Sequence, residues 1–453
     1  MLITNLTFDS IHDNQKEFNG VLRFKVSPLT STMTRMKAMD SKIFNNFGND
    51  IKEIDESPKY NTQYILSTSV ANSPIDWCGP DKFNNGYDRN FPNKKNLFSI
   101  IKDKDIDDLR SNRAFLLLDQ SHEGYQTLWL WEWFHNNCDD YGIDPNRIIY
   151  VTGNLDSDDQ YTEWANLHQI VNRIKVIPYP HFELMIYDTA DNYNCYTKTI
   201  INIFQKQKLP TLSDQLDYKN NNLKNIKMFN ALQKRARAHR IWFFKYLYEN
   251  MLLDTNIVSM NSFEFHKTYY EGRNIDKEMF DKLEKITPIF PPQTAKKTKM
   301  DEFIDSDCGE YLTELNEQIM LDSWLTVVSE ASFGDLENTC FISEKTFKPI
   351  FCYHPFIIFG NRGSLKRLRE MGYKTFSPFI NEEYDELPTW ERMDAITKEL
   401  IRLSSMDDTE RLNWYTSMSD ILTYNFEILF RNSRMKVPPA MIELKKYIGK
   451  TDV

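Results

Sequence analysis

The sequence predicts an α/β protein made of two units, each with its own parallel sheet. Three observations carry this. Continuous apolar runs at 114–118, 325–328 and 355–359 have the pattern of strands covered on both faces, which leave no polar side to alternate. Each run stops at a charged residue or a glycine, and a segment with helical spacing follows. The 453 residues also exceed one ordinary domain, so the strand and helix alternation has room to occur twice.

Along the chain, 20–26 and 64–69 read as strands among Asn- and Asp-rich loops. The run 114–118 ends in Asp119-Gln120-Ser121-His122-Glu123. A helix rich in Trp and Leu is expected over 125–138, stopped near Gly142, and 147–152 is the next strand. This strand, helix, strand spacing is a βαβ unit. A helix over 164–170 and a strand at 174–177, ended by Pro178 and Pro180, extend it. The polar stretch 206–225, with one proline and three consecutive asparagines, suits a linker, its core being 216–225. The same pattern then restarts with a strand at 226–232, the basic turn 234–240, a helix through 253 and a strand at 257–260.

Residues 262–322 read as an insertion, with Pro288, Pro291 and Pro292 and a basic run at 295–299. After the strand at 325–328 comes the carboxylate Glu330. Phe341-Ile342-Ser343-Glu344-Lys345 opens a short helix that Pro349 places near its first turns. The strand 355–359 stops at Gly360, and Ser364 is expected to cap a basic helix closed by Gly372. Helices follow at 389–404 and 408–431. The units are therefore expected at 1–215 and 226–405, with a helical segment over 406–453.

Composition bounds the function. Hydrophobic residues make up 41% and charged residues 26%, so real cores can form. The net charge of −10 disfavours a surface that binds nucleic acid throughout, although a local basic groove remains open. The six cysteines lack CxxC or Cys/His ligand spacing and read as reduced, mostly buried thiols of a cytoplasmic protein. No apolar run approaches the ~18 residues of a membrane span. There is no GxGxxG, P-loop, GxSxG or HExxH motif. The triplet Asp156-Ser157-Asp158 follows a strand as a metal-binding DxD would. Similar triplets at Asp103 and Asp305 reduce that reading to coincidence in an acidic chain.

In an open parallel sheet, ligands collect at the carboxyl ends of strands. Charged residues there are the site candidates: Asp119 and Glu123, the turn of Arg235, Arg237 and Arg240, Glu330, and Glu344 with Lys345. Guanidinium forks can grip a diphosphate, and a helix N-terminus attracts anions through its unpaired N–H groups. Glu344 and Lys348, four apart, equally suit a surface helix pair.

The stretch 328–360, VSEASFGDLENTCFISEKTFKPIFCYHPFIIFG, resembles the nucleotide-sugar segment of the fucosyltransferase-type GT-B glycosyltransferases. That motif runs FENS, a gap, Y[IV]TEK, then an apolar strand ending PVVxG. Ser329-Glu330-Ala331-Ser332 and Phe341-Ile342-Ser343-Glu344-Lys345 are the matching positions. The resemblance implies two Rossmann-like domains with parallel sheets facing across a cleft, the first for the acceptor and the second for the donor. Glu344 would hold the ribose hydroxyls, and Lys345 and Arg240 the diphosphate, with Glu330 beside them. Asn230 and Arg240 match the family's SN…R turn, where Arg235 or Arg237 could substitute for Arg240.

The family's catalytic carboxylate would be Glu123, with Asp119 behind it. The diphosphate sugar would be a co-substrate, and no cofactor or metal is implied. Ala331 replaces the motif's Asn, so the sugar need not be fucose. The chain is also similar to proteins of large bacterial viruses that share SEKTFKPI and GSLKRLREMGYKTF, some of which glycosylate modified DNA bases. The acceptor would then be the hydroxyl of a glycan or of a modified base. A non-catalytic GT-B-like scaffold is the remaining alternative.

Overall fold

A computed structural model describes residues 22–26, 51–53, 64–69, 98, 101–121, 124, 130–185, 211–233, 237–253, 255–260, 317–334, 339–432 and 439–450. The expected insertion lies outside them up to residue 316. The first unit contains β1 (Leu22–Val26), β2 (Ile51–Glu53), β3 (Tyr64–Ser69), α1 (Asp103–Arg110), β4 (Ala114–Gln120), α2 (Leu130–Tyr141), β5 (Ile148–Thr152), α3 (Ser157–Leu167), β6 (Lys175–Pro178) and α4 (His181–Met185). Its sheet is parallel throughout, in the order β2-β1-β3-β4-β5-β6.

The second unit contains α5 (Leu212–Asn221), β7 (Lys227–Gln233), α6 (Ala238–Glu249), β8 (Ile257–Met260), α7 (Glu317–Leu321), β9 (Ser323–Ser329), α8 (Glu344–Phe351), β10 (Phe356–Phe359), α9 (Ser364–Glu370), α10 (Thr389–Ser404), α11 (Asp408–Ser417), α12 (Ser419–Asn432) and α13 (Pro439–Lys450). Its sheet is also parallel, in the order β10-β9-β7-β8. Two Rossmann-like parallel sheets are the α/β architecture expected of a GT-B chain.

The apolar runs form the strands because both faces are covered. Residues 114–118 are fully buried, and so is every residue of β9 and β10. Each large side chain so placed adds about 1.5–3 kcal/mol relative to exposure. One cluster around Phe98, Trp131, Phe134 and Tyr150 fills the first unit. A second, around Phe243, Trp324, Phe347 and Tyr415, fills the other.

Several expectations are corrected. The stretch 216–225, expected as a linker, is mostly helical, running through α5 into a 3-10 turn. Thr211 and Asp214 cap α5 reciprocally, and Gln215 and Lys219 on it are buried. Ser364 does not cap α9. It is the first helical residue, Gly363 at φ 77 takes the cap position, and the Asp385 carboxylate accepts from the Leu365 and Lys366 amides at 2.9 Å each. Pro349 is the sixth residue of α8 rather than an early one. The helix expected over 408–431 is two, broken at Met418. The last segment also divides: α11 and α12 supply Trp414, Tyr415 and Leu422 to the second core, whereas α13 lies against β6 of the first sheet. β2 carried no sequence signal strong enough to be expected.

Candidate functional site

The two units meet at the carboxyl ends of their strands. Leu155, just past β5, donates its amide to the Cys340 carbonyl at 2.8 Å, and the Cys340 amide donates to Asn154 Oδ1 at 2.9 Å. The Phe341 ring lies edge-on to Phe182 of α4, with centroids 5.6 Å apart. Gly124 abuts the same ring so closely that a Cβ there would stand 2.3 Å from Phe341 Cβ, which only glycine tolerates. Gly124 is thereby brought against the loop that enters α8.

On the second unit, the end of β9 gathers positive charge. Arg240 Nη2 donates to the Ser329 and Glu330 carbonyls at 2.8 and 3.0 Å. His239 Nε2 lies 3.2 Å from the Glu330 carbonyl, Arg237 donates to the Ala331 carbonyl, and Arg392 Nη2 reaches the Phe333 carbonyl at 2.5 Å. Burial first, and then the charges of Arg240 and Arg237, hold His239 well below its ordinary value, so the imidazole is neutral. Three guanidinium groups thus converge on one strand end.

The carboxylate of Glu330 is the counterweight. It accepts from the Ser343 amide at 3.0 Å, the Ser343 hydroxyl at 2.5 Å and the Thr346 hydroxyl at 2.8 Å. With 2% of its surface exposed, it holds the start of α8 in place. Ser343 caps α8. Glu344 and Lys345 follow, with Lys345 Nζ 2.6 Å from Glu344 Oε1 and 3.2 Å from Ser343 Oγ. Burial would raise the Glu344 carboxyl, but the charges of Lys345 and Lys348 and hydrogen bonds hold it below its usual value. Glu344 is buried, so the surface-pair reading with Lys348 does not hold.

Asn230, expected among the donor-binding residues, belongs to β7. It sits inside the second sheet, where Nδ2 donates to Ser323 Oγ at 2.8 Å and Thr326 Oγ1 at 2.9 Å. Arg240 is buried on backbone carbonyls. Asp119 is the penultimate residue of β4, buried, with Oδ1 accepting from the Ser121 amide at 2.9 Å. Burial, opposed by that bond, raises its carboxyl to about 6. Glu123 and Arg235 lie outside the described residues. Asp156 of the DxD triplet is engaged by Arg367 of α9, from Nε at 3.0 Å and also from Nη2, and is an inter-unit ion pair. Among the described residues no group of His, Cys, Asp and Glu is placed to hold a metal ion. None of the described helices is long and apolar enough to cross a membrane. The described cysteines, Cys138, Cys340 and Cys352, are buried free thiols.

Sequence reasoning missed His239, Arg392, Ser343 and Thr346. Ser343 was findable, since a serine directly before Glu-Lys at a helix start is a cap pattern. Arg392 arrives from a helix some sixty residues downstream and leaves no local trace.

No family model matches the chain, and no curated protein matches it. Among solved structures it is similar to the Candida albicans trehalose-6-phosphate phosphatase N-terminal domain at 9% identity, over 96% of this chain and 97% of that one, with a TM-score of 0.41. It is similar also to an alpha1,3-fucosyltransferase at 9% identity, over 92% of each chain, with a TM-score of 0.33. Likeness at this level assigns no ligand and no residue role.

Proposed function

We propose that the protein is a glycosyltransferase that moves a sugar from a nucleoside diphosphate sugar to a hydroxyl acceptor. The observation that carries the proposal is the charge arrangement at the end of β9, where a buried carboxylate at a helix start stands beside Lys345 and a strand end gathers Arg237, Arg240 and Arg392. A nucleoside diphosphate needs this combination: an acceptor for its ribose hydroxyls and preorganised positive potential for its phosphates.

In this reading the Glu344 carboxylate accepts from the ribose hydroxyls, and the Lys345 ammonium meets the diphosphate. The bond between the anomeric carbon and the diphosphate oxygen breaks as the acceptor oxygen attacks. Negative charge then accumulates on the leaving diphosphate, where Lys345 and the guanidinium groups stabilise it. The acceptor's proton passes to a carboxylate of the first unit, a role we give to Glu123, with Asp119 fixing the turn that precedes it.

Thermal shift with nucleoside diphosphates and their sugars tests the proposal, because a ligand that binds only the folded state raises the melting temperature with concentration. The wild type should be stabilised by one nucleotide class. Glu344→Ala and Lys345→Ala should each abolish that shift, and an undiminished shift in both variants would overturn the assignment.

A further inference from the structure

We propose that Asn154 is a positioning residue through which the first unit sets the geometry of the donor site, an inference that rests on the glycosyltransferase reading of Glu344 and Lys345. Asn154 is fully buried just beyond β5. Its Oδ1 accepts the Cys340 amide at 2.9 Å, while the next residue, Leu155, donates its own amide to the Cys340 carbonyl at 2.8 Å. Both backbone groups of one residue in the second unit are therefore satisfied by two consecutive residues of the first, as in a short piece of sheet. The amide of Asn154 is itself held in orientation: Nδ2 donates to Gln160 Oε1 at 3.1 Å, and its backbone N–H donates to Thr152 Oγ1 at 3.2 Å.

What the clasp grips is the chain leading into α8. Cys340 stands four residues before Glu344, and between them Phe341 is wedged between Gly124 and Phe182. Asn361 holds the Thr339 carbonyl on the other side. From Ser343 onward the carboxylate of Glu330 takes over. The start of α8 is thus fixed from within its own unit by Glu330 and from the opposite unit by Asn154. Removing the Asn154 oxygen would leave the Cys340 amide buried without its acceptor, and the loop would have to move to satisfy it. Displacements of about 1 Å at a binding constellation are enough to weaken it.

The test uses the full chain. In the wild type the Cys340 and Leu155 amides should exchange with solvent as slowly as those of β9. Exchange at the rate of an exposed loop would overturn the clasp, whether or not any nucleotide binds. Asn154→Ala should accelerate exchange at Cys340 and raise the Kd for the nucleoside diphosphate, among UDP, GDP, ADP, CDP and dTDP, that stabilises the wild type, each by about tenfold, the scale of one buried donor losing its acceptor. Asn154→Asp keeps an oxygen at that position but buries a carboxyl in place of the amide that meets Gln160, so at a pH low enough to keep that carboxyl protonated it should restore both toward wild-type values, which a role in general stability alone would not require. An unchanged Kd in Asn154→Ala would overturn the positioning role. Where that variant fails to fold, the wild-type exchange rates and the Asn154→Asp variant decide. If the wild type binds no nucleoside diphosphate, the donor-site reading falls, and the exchange measurement alone judges the clasp.

Discussion

Asp119, near the end of β4, and Glu344, the first residue of α8, are both buried carboxylates, and their surroundings push them in opposite directions. Glu344 has two lysines to hold its charge, so it stays ionised despite burial. Asp119 has only its bonds to Ser121 set against burial, so burial wins and its carboxyl rises to about 6 from 3.8. A folded-state value above the unfolded one means that the folded chain holds the proton more tightly. The stability this group contributes is therefore complete below about pH 4 and is lost as pH rises through about 6. At neutral pH the buried charge costs on the order of 3 kcal/mol, taking about 1.4 kcal/mol for each tenfold change in proton affinity. Asp119→Asn keeps an oxygen for the Ser121 amide and removes the charge. Its urea midpoint should match the wild type at and below about pH 4, exceed it increasingly from about pH 4 to 6, and keep a nearly constant excess above that. A difference that does not change with pH would mean that Asp119 is not desolvated in solution.

At the scale of elements, α5 shows how a polar stretch becomes structural. Its Lys219 is buried, and Nζ donates to the carbonyls of Met320 and Leu321 at 3.1 Å and of Ser323 at 2.5 Å. The same ammonium lies 5.0 and 5.1 Å from the ring centroids of Trp324 and Tyr415. One side chain thus closes the end of α7 and ties α5 to the start of β9. Lys219→Met should lower unfolding free energy by roughly 2–4 kcal/mol, because the charge-assisted bonds are lost and buried carbonyls are left unpaired. A loss under about 0.5 kcal/mol would show that α5 is not anchored through this group.

The contrast with the strands explains what could be read in advance. Runs such as 114–118 and 325–328 reveal themselves because burial on both faces is written in consecutive residues. The order of the sheets follows once strand and helix alternate. α5 looked like a linker because its contacts are made by a glutamine and a lysine whose partners lie more than a hundred residues away. The same distance problem governs the site. Glu344 and Lys345 stand side by side in sequence and were legible. The guanidinium convergence at the end of β9 depends on Arg392, and the role of Glu330 depends on Ser343 and Thr346 folding back onto it.

On the scale of the whole molecule, the two units are joined by contacts of unequal strength, and magnitude decides which of them matter for stability. Arg367 and Asp156 pair across the boundary, but with 23% and 38% of their side-chain surfaces exposed the pair sits in a partly solvated setting, worth at most about 1 kcal/mol. The return of α13 to the first sheet is of another kind. Leu444 and Ile448 are buried, the Tyr447 hydroxyl donates to the Asn146 carbonyl at 2.7 Å, and its ring meets Phe115 with centroids 6.3 Å apart. Lys175 of β6 pairs with Glu443 beside them. Leu444→Ala should therefore cost about 2–5 kcal/mol, as buried leucines do, whereas Arg367→Ala should cost no more than about 1. Amide exchange locates the effect: Leu444→Ala should speed exchange in β5 and β6 of the first sheet while β9 and β10 keep their protection. If β9 and β10 loosened equally, α13 would be stabilising the chain as one cooperative block. If neither sheet changed, its packing against β6 would contribute nothing. The first outcome alone is consistent with α13 acting as a strap that leaves the core of the second unit to stand on its own.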